Sequence, residues 1–144
     1  TVTEDDEDVV QEVELEWDEN GIFSPELDGD EADIFVFTGD TDGLVVADVS
    51  IVNFTAGQSI DLSGLGEDFS TVSNVLGGVN SILVEGDDLL VTMFSGDSVA
   101  DLKTWDLTFE DVGQDVLDVV DPDADFDSNL VNVAGELGND WLLI

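Results

Sequence analysis

Short runs of β-forming apolar residues recur about every ten positions along this sequence, and most end in a cluster of Gly and Asp. Val13, Leu15 and Trp17 alternate with acids, the period-two pattern of a half-buried strand, and Asp18-Glu-Asn-Gly21 turns the chain. Ile22-Phe23, Asp33–Phe37, Leu44–Phe54 and Ser59–Leu62 follow as strand candidates. Ser81–Val84 and Leu89–Phe94 flank Glu85-Gly-Asp-Asp88 and read as a β-hairpin, and Trp105–Phe109 is a further strand. Leu130–Val133 and Trp141–Ile144 bracket Gly135–Asp140 and read as a closing hairpin. Phe69–Leu76, with Asp68 or Ser70 as N-cap and Gly77-Gly78 as stop, is the one helix candidate. The pattern predicts an all-β protein: a single β-sandwich or β-roll-like domain of short strands with Gly/Asp turns and at most one short helix. Residues 1–8 form an acidic leader and 9–144 one β domain, of which 113–144 is the C-terminal hairpin region.

Charge narrows what such a domain does. The chain carries 37 acidic residues and one base, Lys103, with no Arg and no His, a formal charge of −36 on 144 residues. Like charges at this density oppose the compact state, so bound divalent cations, high salt or a cationic partner must offset them. Disorder is not the expectation, because 42% of residues are hydrophobic, mainly core-forming Val, Leu, Ile and Phe. Repulsion argues against nucleic acid and anionic membranes as partners. No segment approaches the ~20 apolar residues of a membrane helix, and the acidic start is not an uncleaved signal peptide. Absence of Cys removes disulfides and thiolate metal sites. Without His, Cys and Tyr the usual general bases and most strong nucleophiles are missing, and without Arg there is no bidentate phosphate clamp. Paired carboxylates can hydrolyse a glycoside, but among 37 acids some pair always looks suggestive. The chain is therefore expected not to be an enzyme.

The acids that collect at turns are the candidate metal ligands. Asp121-Pro-Asp-Ala-Asp-Phe-Asp-Ser-Asn129 places carboxylates at every second position, like the first half of an EF-hand-type loop. Curling would bring Asp121, Asp123 and Asp125 onto one hard cation, with Asp127 nearby. Phe126 stands where that loop has Gly and Asn132 where it has Glu, and the alternative is a solvated acidic linker. Asp40 and Asp42 in Asp40-Thr-Asp-Gly43 are a second candidate, fully explained as an Asp-rich turn.

A longer stretch carries a family likeness. Asp28-Gly-Asp-Glu-Ala-Asp-Ile-Phe-Val-Phe37, Val49–Phe54, Ala56–Gly64, Gly86–Val91, Gly96-Asp97 and Leu107–Val112 occur in order. With them, residues 26–112 resemble the end of an RTX (repeats-in-toxin) calcium-binding β-roll and the C-terminal target region of type I secreted proteins. In that family's nonapeptide, carbonyls and an Asp bind Ca²⁺ between stacked coils while an apolar residue points inward. The resemblance implies Asp33 as the calcium Asp and Phe35 as the inward residue, with Asp28 and Asp30 in the same turn. Asp28 and Glu31 stand at two of the motif's glycines and only one such repeat is present, so one or two ions at an edge are implied rather than a row. Asp140-Trp-Leu-Leu-Ile144 resembles the terminal signature of type I secretion substrates, or is a final core strand.

The expectation is a secreted or cell-surface, non-catalytic calcium-binding β domain acting as a type I secretion or structural module, with Ca²⁺ as its ligand. One alternative is a self-assembling extracellular subunit, a homo-oligomer of a surface layer or filament bridged by calcium. The other is a halophilic acidic protein with no specific ion role.

Overall fold

A computed structural model describes residues 9–66, 69, 80–95 and 102–144. The chain winds between two sheets. After β1 (Val10–Glu14) in the first sheet it crosses to β2 (Ile22–Phe23) and β3 (Glu26–Asp28) in the second, then returns as β4 (Ile34–Thr38). It crosses again to β5 (Val46–Val52) and returns as β6 (Ser59–Asp61), which runs into a 3-10 turn over Ser63–Leu65. The second sheet then gains β7 (Ser81–Glu85), β8 (Asp88–Ser95) and β9 (Lys103–Phe109). Two helices follow, α1 (Gly113–Val116) and α2 (Phe126–Leu137), before β10 (Leu142–Leu143) closes the first sheet.

The first sheet has the order β1-β4-β6-β10 and every neighbouring pair is parallel. The second has the order β2-β5-β9-β8-β7, with β3 also on β5; β2, β3 and β9 run parallel to β5, while β8 runs antiparallel to both its neighbours, β9 and β7. The crossings between β1 and β6 are short, so successive turns at one end of the strands lie side by side.

Alternation in the sequence explains which face each strand buries. On β9, Lys103, Trp105, Leu107 and Phe109 are buried, and Thr104, Asp106 and Thr108 face outward. On β5, Ala47, Val49 and Ile51 are fully buried between Asp48 and Ser50 on the outer side. Phe35 and Phe37 of β4 and Ile60 of β6 come from the first sheet into the same core. Phe109 links two further aromatics edge-on: Phe54 at 4.9 Å and Trp141 at 5.5 Å between ring centroids. Such T-shaped pairs add to area burial by about 0.5–1.5 kcal/mol each.

This architecture corrects the all-β expectation. The molecule is mixed α/β, and its helix content is not limited to one short piece. Where a closing hairpin was expected in 113–144, residues 126–137 form a twelve-residue helix, and β10 pairs in parallel with β6. The cause is a misread period. Asn129, Val133 and Leu137 are buried, and Phe126, Leu130 and Ala134 are half-buried beside them, the i, i+4 spacing of one helix face. Leu130-Val-Asn-Val133 taken alone mimics a strand. The hairpin over β7 and β8 forms as expected, with Glu85 opposite Asp88 across Gly86-Asp87. The helix expected at Phe69–Leu76 and the leader at residues 1–8 lie outside the described residues, Phe69 excepted.

Candidate functional site: the acidic turns

Turns from the second sheet to the first stack on one another. Gly29 sits so close to the next turn that its backbone lies against the Asn53 carbonyl and the Gln58 side chain. Asn53 adopts a left-handed φ of 56°, a conformation Asn tolerates better than most residues, and its Nδ2 donates to Asp28 Oδ1 at 2.9 Å. Gln58 clamps the same junction. Its Nε2 donates to the Gly29 carbonyl at 2.6 Å and its Oε1 accepts from Thr55 N at 3.0 Å. A third turn joins the stack where Gly57 N donates to the Leu137 carbonyl at 2.8 Å.

Two of the three carboxylates expected to hold calcium here, Asp28 and Asp33, are engaged by protein donors. Asp28 Oδ1 accepts from Asp30 N as well as from Asn53. The Asn53 amide, and then the Asp30 N–H, hold the Asp28 carboxyl below the usual carboxylate range against a small opposing effect of burial. Asp33 Oδ2 accepts from Val9 N at 2.9 Å and so fastens the start of β1. Phe35, the residue the resemblance turns inward, is fully buried.

On the opposite side, the turns from the first sheet to the second also lie together. Gly43 packs against the Trp17 ring, and Gly21 against Val45 and the Gly43 carbonyl. The turn that carries Asp18 thus meets the turn that carries Asp40 and Asp42 through Trp17, Gly21 and Gly43. Asp18 Oδ1 accepts from Asn20 N and Ile22 N, and Asp40 Oδ1 from Asp42 N, so both act as turn-forming Asx residues.

The Asp121–Asp127 segment forms the entrance to α2. Asp121 Oδ1 accepts from Asp123 N at 2.9 Å. Buried Asn129 reaches back to both backbone groups of Asp121: its Oδ1 accepts from the N–H and its Nδ2 donates to the carbonyl. Asp125 is the N-cap of α2, its Oδ1 accepting from Ser128 N at 2.8 Å. The Ser128 hydroxyl and N–H lower the Asp125 carboxyl below its ordinary range. Asp127 lies in the first turn, where the helix dipole favours negative charge.

Among the described residues, no group of three or more acidic side chains is placed to hold a metal ion. The nine candidate aspartates thus fall into separate turns, with Asp28, Asp30 and Asp33 in one, Asp40 and Asp42 in another, and the remaining four at the head of α2. The sequence reading missed Asn53, Gln58 and Asn129, the neutral amides that tie these turns; each is a polar residue next to an apolar run. It also missed that Asp48 and Asp106 would meet across β5 and β9.

The terminal Asp140–Ile144 segment is built into the fold. Trp141 and Leu142 are buried, and Trp141 Nε1 donates to the Leu130 carbonyl at 3.2 Å. Among the described residues, no helix is long and apolar enough to cross a membrane. No protein-family model, curated protein or solved structure matches this chain.

Proposed function

We propose that this chain is a non-catalytic acidic module, secreted through a type I route, whose compact state is held by cations from its surroundings, calcium being the cation outside the cell. The observation that carries the reading is the packing of carboxylate-bearing turns on one another, the turn of Asp18 meeting that of Asp40 and Asp42 through Gly21 and Gly43, in a chain whose one Lys is buried in the core. Extracellular calcium is millimolar, and sites of the 10⁻⁴–10⁻³ M class fill there. A site with calcium at ten times its Kd contributes about 1.4 kcal/mol to folding.

A second reading, adaptation to high salt, is favoured by a specific observation. Asp28, Asp33, Asp40, Asp121 and Asp125 each already accept a hydrogen bond from the protein. Their charge then needs screening rather than coordination, and at about 1 M salt the Debye length is ~3 Å. Thermal unfolding followed by circular dichroism separates the two. Millimolar CaCl₂ is expected to raise the midpoint well beyond NaCl at matched ionic strength, and EDTA to reverse it. Equal midpoints in the two salts would overturn the calcium reading and leave the halophilic one.

A further inference from the structure

The outer face of the second sheet presents an arrangement that none of the turns explains. Asp48 on β5 and Asp106 on β9 are direct partners across the parallel pair. Adjacent strands lie about 4.8 Å apart, and both side chains leave the same side of the sheet, since Ala47, Val49, Trp105 and Leu107 on either side of them are buried. Like charges placed directly opposite on neighbouring strands destabilise a sheet. On the far side of Asp106 stands Thr92, in register with it, and the Thr92 hydroxyl donates to Asp106 Oδ1 at 3.2 Å. The next row along the strands is Ser50, Thr108 and Leu90. Between the two rows lies an open groove of about 230 Å³, lined by both aspartates, Thr92, Thr108 and Leu90.

We infer that this groove docks one arginine side chain of a partner protein, the guanidinium between Asp48 and Asp106 and the aliphatic stem along Leu90. Charge complementarity commits the occupant. The chain has no Arg or His, and its one Lys, at 103, is buried on the inner face of β9, turned away from Asp106. A cation for this pair therefore comes from another molecule. Calcium is a poor fit, because it takes six to eight oxygen ligands, and only two carboxylates, Asp48 and Asp106, line the groove. A planar guanidinium, weakly hydrated and able to fork between two carboxylates, suits the geometry better. Size agrees: sites for drug-sized molecules occupy roughly 300–1,000 Å³, so this groove takes a single side chain. The inference rests on the sheet face alone and is independent of how the turns are screened.

The test is a titration of the whole ¹⁵N-labelled protein at physiological ionic strength with the peptide acetyl-Leu-Arg-Leu-amide, beside the same peptide carrying citrulline, the neutral isostere of arginine. The arginine peptide is expected to give saturable shifts centred on the amides of Thr92, Asp106 and Thr108. The citrulline peptide and the double variant Asp48→Asn/Asp106→Asn are each expected to weaken binding at least tenfold. Removing the facing charges does not threaten the fold, and a thermal melt of the variant verifies that. The variant Asp42→Asn/Asp123→Asn, which removes as much charge elsewhere, is expected to bind as the parent does. Shifts spread evenly over the acidic surface, equal losses in both double variants, or saturable shifts of the same amides by CaCl₂ would each overturn the proposal.

Discussion

Replacing Gly29 by Ala tests the stacking of turns that organises the winding. A Cβ at this position would overlap the Asn53 carbonyl oxygen and would lie 2.6 Å from both the Asn53 carbonyl carbon and Gln58 Oε1. Most of this obstruction is backbone, which moves only if the two turns part. Overpacking of this kind costs typically 1–3 kcal/mol. Parting the turns also weakens the buried bond from Gln58 Nε2 to the Gly29 carbonyl, worth about 1 kcal/mol. The expected loss is therefore about 2–4 kcal/mol, or a fall of roughly 8–16 °C in Tm at about 4 °C per kcal/mol for a domain of this size. Urea unfolding at fixed calcium and salt, followed by tryptophan fluorescence, measures it. Gly135→Ala is the control, since its Cβ meets nothing within 4 Å and it lies inside α2; it is expected to stabilise by about 1 kcal/mol through helix propensity. A Gly29→Ala loss under about 0.5 kcal/mol, within the range of ordinary surface substitutions, would refute the close approach of the turns.

Two further outcomes follow from the same structure. Trp141→Ala removes a ring that is 1% exposed and stacked edge-on to Phe109, and is expected to cost about 3–5 kcal/mol; a terminal segment serving only as a free signal would leave the urea midpoint unchanged. Asp28 and Asp125 have folded pKa values below their ordinary ones, so their contribution is full above the unfolded pKa of about 3.9 and is lost as pH falls through the folded value. Asp28→Asn and Asp125→Asn are each expected to flatten the loss of stability with falling pH in that acid window relative to the parent. The comparison with the parent matters, because protonating the remaining carboxylates relieves repulsion and acts in the opposite direction.

The strands were largely legible because their signal is local. Alternation along Trp105–Phe109 and the apolar run within Leu44–Phe54 each name a strand without reference to anything else. The hairpin at Gly86-Asp87 was legible for the same reason. Helix α2 was not, although its apolar positions 126, 130, 133, 134 and 137 keep a helical period, because Leu130-Val-Asn-Val133 within it mimics a strand. Asp125, a candidate ligand in the sequence, caps the helix; a carboxylate that begins a helix and one that binds an ion look alike until the following residues are given a period.

By itself, then, the sequence determined the position of most strands, the alternation that turns Val13 and Leu15 inward, and a charge that needs compensation from outside. Parallel pairing, the stacking of turns through Asn53 and Gln58, and the meeting of Asp48 with Asp106 were decided only by the tertiary structure. The physical reason is range. Which side of a strand is buried follows from neighbours two residues away, whereas the register that sets residue 48 beside residue 106 follows from the packing of the whole winding against one shared core.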